Sequence, residues 1–189
     1  MRRNVDRLFV VAAICLGFQA HAQENKVAAS LNAEQLAVAT LSKVVQLTSQ
    51  AVEAGSGTRD LYVFSDPLCS HCRNFAIQLA QIPNLRVHTY LLPRLRGAAE
   101  LGEALWCAQD RNLAWEAFTQ VDMQPLAATC DHPFLENARL AAEVGVTLTP
   151  TFVTSDGRKY TGFRSKQAME KILDSSTYPS STLKRKRVQ

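Results

Sequence analysis

The sequence lacks the features that mark membrane-spanning and nucleic-acid-binding proteins. After residue 22, no apolar run approaches the roughly 20 residues that a membrane-spanning helix needs. Lys and Arg (21) nearly balance Asp and Glu (17), and four of the basic residues lie together at 184–187. The rest of the chain therefore has no basic excess that would attract nucleic acid. With 47% hydrophobic and 20% charged residues, the composition is that of a globular protein.

The N-terminus has the pattern of a secretory signal peptide. Three arginines among the first seven residues precede an apolar run over 8–18, which is too short to span a bilayer. Ala20 and Ala22 have the small-residue spacing of a cleavage site. We therefore expect 1–22 to be a signal peptide that is cleaved after Ala22, with export to the periplasm. At the other end, we expect 177–189 to be a basic, disordered tail.

Cysteine is scarce as well, with five residues in the chain. Cys15 lies in the apolar run of the signal and follows Ile14, whereas a lipidated cysteine follows a small residue, so we expect it to leave with the signal. The four that remain are Cys69, Cys72, Cys107 and Cys130. In an exported chain, an even number of cysteines indicates disulfide chemistry more often than zinc binding. We expect no metal and no other cofactor.

A helix is predicted ahead of the main domain. Asn32 and Gln35 fit a capping box, apolar residues recur at helical spacing as far as Val52, and Gly55 follows as a helix stop. We assign 23–58 to this helix and its linker.

Three valines of this helix recur every seven residues, at Val38, Val45 and Val52. This is the spacing of a dimer seam, so one interpretation is a homodimer formed through 33–53. The other is that the helix packs its apolar stripe on the following domain.

The sequence pattern over residues 59–176 predicts one α/β domain. Its elements follow the order strand–helix–strand, helical segment, strand–strand–helix, which is the βαβ plus ββα arrangement of thioredoxin. The predicted elements are a strand at 61–64, a helix opened by Asp66 and Pro67, a strand at 85–91, helical residues 97–119 with a break near 110–112, a helix from 133 to 144 capped by Asp131, a hairpin of 151–154 with 158–161, and a helix from Ser165 to about 173.

Cys69 and Cys72 are the candidate catalytic residues, separated by Ser70 and His71. We place them in the first turn of a helix that follows a strand. The N–H groups of a first turn lack helical partners, and together with the macrodipole they stabilise a thiolate. Cys69 is therefore the predicted nucleophile, and Cys72, on the same helical face, the resolving thiol. His71 adds positive charge or a hydrogen bond.

Two other uses of this pair remain open. Cys69 and Cys72 could form a purely structural disulfide. They could also bind zinc together with His71 and a further ligand. The candidates for that ligand are Cys107, Cys130 and His132.

Cys107 and Cys130 lie 23 residues apart, and neither has a helix-start context as favourable as that of Cys69. We interpret them as a structural disulfide that ties the helical segment together. In the chain-entropy model such a bond contributes about 3 kcal/mol. The alternative is a second redox pair.

Four motifs, in this order along the chain, resemble the DsbC/DsbG family of periplasmic disulfide isomerases. They are VFSDPLCSHC at 63–72, the Trp-Cys segment at 105–110, Thr-Cys-Asp at 129–131, and 145–151 followed by Asp156, Gly157 and Gly162. The resemblance covers about residues 60–175.

The resemblance implies a thioredoxin-like fold with a helical insertion, which would follow the N-terminal helix predicted above. It implies that Thr149 and Pro150 form a cis-proline loop facing Cys69, where the Thr149 backbone pairs with an extended substrate. It also implies that Cys69 attacks mispaired disulfides of exported proteins and is kept reduced by a DsbD-type membrane reductant.

Two departures from the family pattern suggest other functions. The family commonly has Gly-Tyr between its cysteines, whereas Ser70 and His71 resemble the DsbA oxidase motif. Only residues 23–60 precede the domain, so we expect a short variant without the family's N-terminal dimerisation domain. The alternatives to an isomerase or reductase are a DsbA-like thiol oxidase and a non-catalytic thioredoxin-like assembly factor of an envelope complex.

Overall fold

The computed structural model describes residues 33–176. The predicted signal peptide at 1–22, the first residue of the predicted capping box and the predicted basic tail at 177–189 lie outside the described residues. Within 33–176, no helix has the length and apolarity needed to cross a membrane.

The N-terminal helix is shorter than the sequence predicted. Helix α1 spans Ala33–Gln46, Thr48–Gln50 form a turn of 3-10 helix, and strand β1 spans Val52–Ala54. The prediction that Val52 continues the helical stripe was wrong, because Val52 is fully buried in β1 and pairs with Thr89. An apolar residue that is buried from a strand fits the same spacing, so periodicity alone did not separate the two.

One mixed sheet of five strands organises the domain. The strands are β1, β2 (Arg59–Ser65), β3 (Leu85–Leu91), β4 (Thr151–Thr154) and β5 (Lys159–Thr161). Their order is β1-β3-β2-β4-β5, with β2 and β3 parallel and the other neighbours antiparallel.

Five further helices lie within the described residues. They are α2 (Ser70–Ala80) between β2 and β3, α3 (Ala98–Trp106), α4 (Arg111–Val121) and α5 (Phe134–Glu143) between β3 and β4, and α6 (Lys166–Ser175) after β5. The β2–α2–β3 and β4–β5–α6 units are the βαβ and ββα units that the sequence predicted, and α3 to α5 are the helical insertion.

Two of the predicted helix caps were wrong. Asp66 does not cap α2, because Cys69 occupies the N-cap position. Asp131 does not cap α5, because the backbone becomes helical only after Pro133. Ser165 does cap α6, accepting a hydrogen bond from the N–H of a residue in the first turn.

Apolar layers cover both faces of the sheet. On one face Val44 of α1 and residues of α5 pack around Phe64. On the other, Phe75 of α2 and residues of α6 pack around Phe152. The insertion adds a third cluster around Trp115. These layers hold α2 against the sheet and place its N-terminus directly after the end of β2.

Candidate active site

The N-terminus of α2 carries the two candidate catalytic cysteines in different surroundings. Strand β2 ends at Ser65 and α2 begins at Ser70, so Cys69 lies at the N-cap position. Both cysteines are free thiols. Cys69 is half-buried, whereas Cys72 is only 2% exposed. Cys69 is therefore the thiol that another protein can reach.

Burial raises the pKa of Cys72 to about 12. A hydrogen bond with Cys69 and the charge of Cys69 raise it further, while the backbone at Asp66 and the side chain of Thr149 lower it. At neutral pH Cys72 is thus a protonated thiol. It does not compete with Cys69 for a substrate disulfide, because the thiolate is the nucleophile.

The loop before β4 lies against Cys69. The Thr149–Pro150 peptide bond is cis, and the Cys69 Sγ lies 3.9 Å from the carbonyl oxygen of Thr149. The N–H of Gly162 donates to the carbonyl oxygen of Pro150 at 2.7 Å, which ties this loop to the end of β5. The structure thus brings the predicted residues Cys69, Thr149 and Pro150 together.

Asp66 fixes the turn that leads to Cys69. Its carboxylate is 1% exposed and accepts hydrogen bonds from three backbone N–H groups. The donors are Leu68 at 2.8 Å, Arg94 at 2.5 Å and Leu95 at 2.8 Å. The carboxylate therefore joins the turn before α2 to the loop after β3.

Arg94 extends this connection to the cis-proline loop. Its guanidinium donates to the carbonyl oxygen of Thr147 at 2.8 Å and to that of Val146 at 3.2 Å. Asp66 and Arg94 together therefore connect the two segments that meet at the Cys69 sulfur. Neither role was predicted from the sequence, because the partners of Asp66 come from a loop 28 residues further along the chain.

His71 and the second cysteine pair take no part in the hydrogen bonds that Asp66 and Arg94 make around Cys69. His71 is exposed in the first turn of α2. Cys107, at the end of α3, and Cys130, before α5, form a disulfide with an S–S distance of 2.06 Å. The Trp106 Nε1 donates to the carbonyl oxygen of Asp131 at 3.2 Å and reinforces the same link.

The geometry gives no support to the zinc alternative. The sulfurs of Cys107 and Cys130 are bonded to each other. Among residues 33–176, no three His, Cys, Asp or Glu side chains are arranged to hold a metal ion.

The domain is similar to proteins whose type is known. The family model of the thioredoxin-like domain matches residues 48–177. The thiol:disulfide interchange protein DsbC of Escherichia coli K12 is 31% identical over 117 residues, which cover 59% of this chain and 49% of that protein. A probable DsbC of Bordetella parapertussis is 28% identical over 120 residues, covering 63% and 43%. The chain spans about half the length of these relatives.

A solved structure is also similar to this domain. The crystal structure of a disulfide interchange protein from Neisseria gonorrhoeae matches with a TM-score of 0.66 and 26% identity, over 70% of this chain and 99% of that chain. The thioredoxin-like fold and the resemblance to DsbC that the sequence predicted are confirmed. The chain belongs to the thioredoxin-like domain family, and its domain is the type found in the catalytic part of DsbC proteins.

Proposed function

We propose that the protein is a thiol:disulfide oxidoreductase that isomerises or reduces mispaired disulfides in exported proteins. The observation that carries this proposal is the contrast between the two cysteines. Cys69 is accessible at a helix N-terminus, 3.9 Å from the Thr149 carbonyl oxygen. Cys72 is buried, with its pKa raised to about 12. Cys69 is therefore placed to attack a substrate disulfide, and Cys72 stays protonated until it attacks the mixed disulfide.

The first step uses Cys69 alone. Its thiolate attacks one sulfur of the substrate disulfide, that S–S bond breaks, and the second substrate sulfur leaves as a thiolate. The product is a mixed disulfide between the substrate and Cys69. The carbonyl oxygen of Thr149 lies beside this sulfur and is placed to accept a hydrogen bond from the N–H of an extended substrate strand.

The second step decides between isomerisation and reduction. In isomerisation another substrate thiolate attacks the mixed disulfide and expels Cys69 as a thiolate, so no electrons are transferred overall. In reduction Cys72 loses its proton and attacks the Cys69 sulfur. The substrate then leaves as a thiol, and the Cys69–Cys72 disulfide forms, having given two electrons to the substrate. A DsbD-type membrane reductant would restore the two thiols.

Two features support a location in the periplasm. The sequence at 1–22 has the pattern of a secretory signal, and the Cys107–Cys130 disulfide suits an oxidising compartment. We assign that bond a structural role in the insertion.

Refolding of scrambled ribonuclease in a glutathione buffer tests the proposal. We expect the wild-type protein to restore ribonuclease activity and Cys69→Ser to restore none. Cys72→Ser should still attack but should accumulate the mixed disulfide, which is visible as a covalent adduct by mass spectrometry. The double variant Cys107→Ser/Cys130→Ser is the matched control and should retain activity per folded molecule. Equal activity of Cys69→Ser and wild type would refute the proposal.

His71 favours a second candidate, a thiol oxidase. An imidazolium next to the pair stabilises the Cys69 thiolate and hence the reduced form, which makes the disulfide more oxidising. Equilibration with glutathione separates the two candidates. A reduction potential in the range of protein disulfide isomerase, about −180 mV, supports shuffling, and one near that of DsbA, about −120 mV, supports oxidation. If the protein is a thiol oxidase, His71→Tyr should lower its reduction potential.

A further inference from the structure

A cavity lies behind Cys72, between the sheet and helices α2 and α4. Its volume is about 290 Å³. The apolar part of its wall includes Val63, Phe75, Leu79, Leu85, Val87 and Trp115. The exposed residues of its lining, Gly55, Ala80 and Gln120, mark its opening to solvent. We call this space the rear cavity.

The rear cavity is too large to be an ordinary packing defect. Protein interiors leave few voids larger than a water molecule, and an apolar cavity of about 150 Å³ is enough to bind benzene. Along the apolar part of the wall a water molecule would lack the two to four polar partners that a buried water needs. The size and the wall suit a small organic molecule with an apolar body.

The inner end of the cavity carries a polar group without a partner. Ser65, at the end of β2, is 2% exposed and lines the cavity. Its Oγ is buried and has no hydrogen-bond partner among residues 33–176. A buried hydroxyl that makes no hydrogen bond is costly, and a ligand with one hydroxyl group would satisfy it.

The lining favours a neutral ligand, because its one charged residue is acidic and disfavours an anion, while the apolar wall disfavours a cation that would lose its hydration. Glu116 is the charged residue of the lining, and its carboxylate accepts a hydrogen bond from the N–H of Gly55 at 3.3 Å. A negative charge at this position repels anions. The lining includes neither Cys69 nor the Thr149–Pro150 loop, so an occupant of the cavity would not compete with a protein substrate there.

We propose that the rear cavity binds a small neutral alcohol or phenol, with its apolar body against Trp115 and its hydroxyl group hydrogen-bonded to Ser65. The ligand contacts Cys72, which lines the cavity, and not Cys69, which does not. This site is additional to the proposed oxidoreductase activity and does not depend on it.

Titration with 4-ethylphenol, followed by two-dimensional ¹H–¹⁵N NMR of the full chain, tests this site. We expect saturable shifts at the amides of Ser65, Thr89 and Trp115. Ethylbenzene, which lacks the hydroxyl group, should bind about tenfold more weakly. In Ser65→Ala the two probes should bind with affinities that differ by less than about twofold.

Filling the cavity supplies the decisive control. Ala76 of α2 lines the cavity, and Ala76→Leu should abolish the shifts, whereas Ala142→Leu on the exposed side of α5 should leave them unchanged. If circular dichroism shows Ala76→Leu to be unfolded, Ala54→Val in β1 narrows the same cavity. The proposal is overturned if 4-ethylphenol causes no saturable shifts in the wild type. It is equally overturned if the shifts persist in a folded variant with the cavity filled.

Discussion

Cys69 and Cys72 lie three residues apart at the start of α2 but differ in accessibility. Cys69 is placed to attack a substrate, whereas Cys72 is protected by burial. Cys69 lies at the N-cap, accessible and beside the positive end of the helix dipole. Cys72 lies one turn further on, against the core residue Phe75 and the rear cavity. The same helix therefore supplies positive potential to one sulfur and an apolar environment to the other.

The first prediction concerns the pH dependence of Cys72 alkylation in Cys69→Ser. Burial is the largest cause that raises the pKa of Cys72 above its ordinary 9.0, and it acts in this variant as in the wild type. The thiolate fraction of Cys72 at pH 8 therefore lies below that of a free thiol. We expect the iodoacetamide rate to rise steadily through pH 10 without levelling off. The unfolded variant in guanidinium chloride is the control and should level off near pH 9. A plateau near pH 9 in the folded protein would contradict the raised pKa.

The raised pKa of Cys72 also makes the stability of the folded state depend on pH. The folded state keeps the Cys72 proton at pH values where the unfolded state has already lost it, because the folded pKa is the higher one. The contribution of this thiol is therefore complete below pH 9 and is lost as the pH rises towards 12.

A second residue-level prediction concerns Asp66. An amide oxygen in Asp66→Asn cannot replace two carboxylate oxygens, so at least one of three N–H donors loses its acceptor. We expect the free energy of unfolding to fall by about 2 kcal/mol, measured by urea denaturation. The exposed residue Asp131 gives the matched control, and Asp131→Asn should change little. Equal losses in the two variants would show that Asp66 does not hold the loops together.

The residues of the site were predictable to different degrees. Cys69 and Cys72 were found because their chemistry depends on local context, a strand followed by a helix start. The role of Asp66 was missed because its partner Arg94 follows another strand. Ser65 gave no signal at all, since an unpartnered hydroxyl is defined by what surrounds it in space.

At the level of elements, local patterns predicted the central units well and the N-terminal segment poorly. Strand β2 contains the run 61–64 of strand-forming residues, β3 is rich in them although Arg86 and His88 interrupt it, and the turn at Gly157 identified the β4–β5 hairpin. Strand β1 has three residues and pairs with the distant β3. A strand this short has too little sequence pattern of its own, so only the tertiary pairing defines it.

Gly157 provides a test of how α1 packs on this hairpin. Its φ is +81°, and a Cβ there would lie 1.9 Å from the carbonyl oxygen of Ala37 in α1. Gly162 has a φ of +91°, and a Cβ there would make only an ordinary contact, 3.5 Å from the Arg164 Nη1, so it is the control for the backbone cost. We expect Gly157→Ala to lower the free energy of unfolding by about 2 kcal/mol more than Gly162→Ala. Equal urea midpoints for the two variants would show that α1 does not contact the hairpin.

At the scale of the molecule, the fold brings three distant segments to one sulfur. The end of β2, the loop after β3 and the loop before β4 meet at Cys69, linked through Asp66 and Arg94. The βαβ and ββα units place these segments at the same edge of the sheet. The rear cavity opens elsewhere, which separates a small-molecule site from the surface that meets proteins.

The last prediction concerns self-association through α1. Val52 lies in β1, so the heptad seam is reduced to Val38 and Val45, each 44% exposed. Two valines form a small patch compared with the roughly 800 Å² per partner of a stable interface. The homodimer proposal therefore predicts a dimer only at high protein concentration, measured by size-exclusion chromatography with light scattering. Val38→Lys/Val45→Lys should remain monomeric, while Ala39→Lys, which is exposed and lies about 100° around the helix from Val38, should behave as the wild type. If the wild type is a monomer at every concentration, the homodimer interpretation is wrong. The apolar stripe of α1 then serves to pack the helix on its own domain.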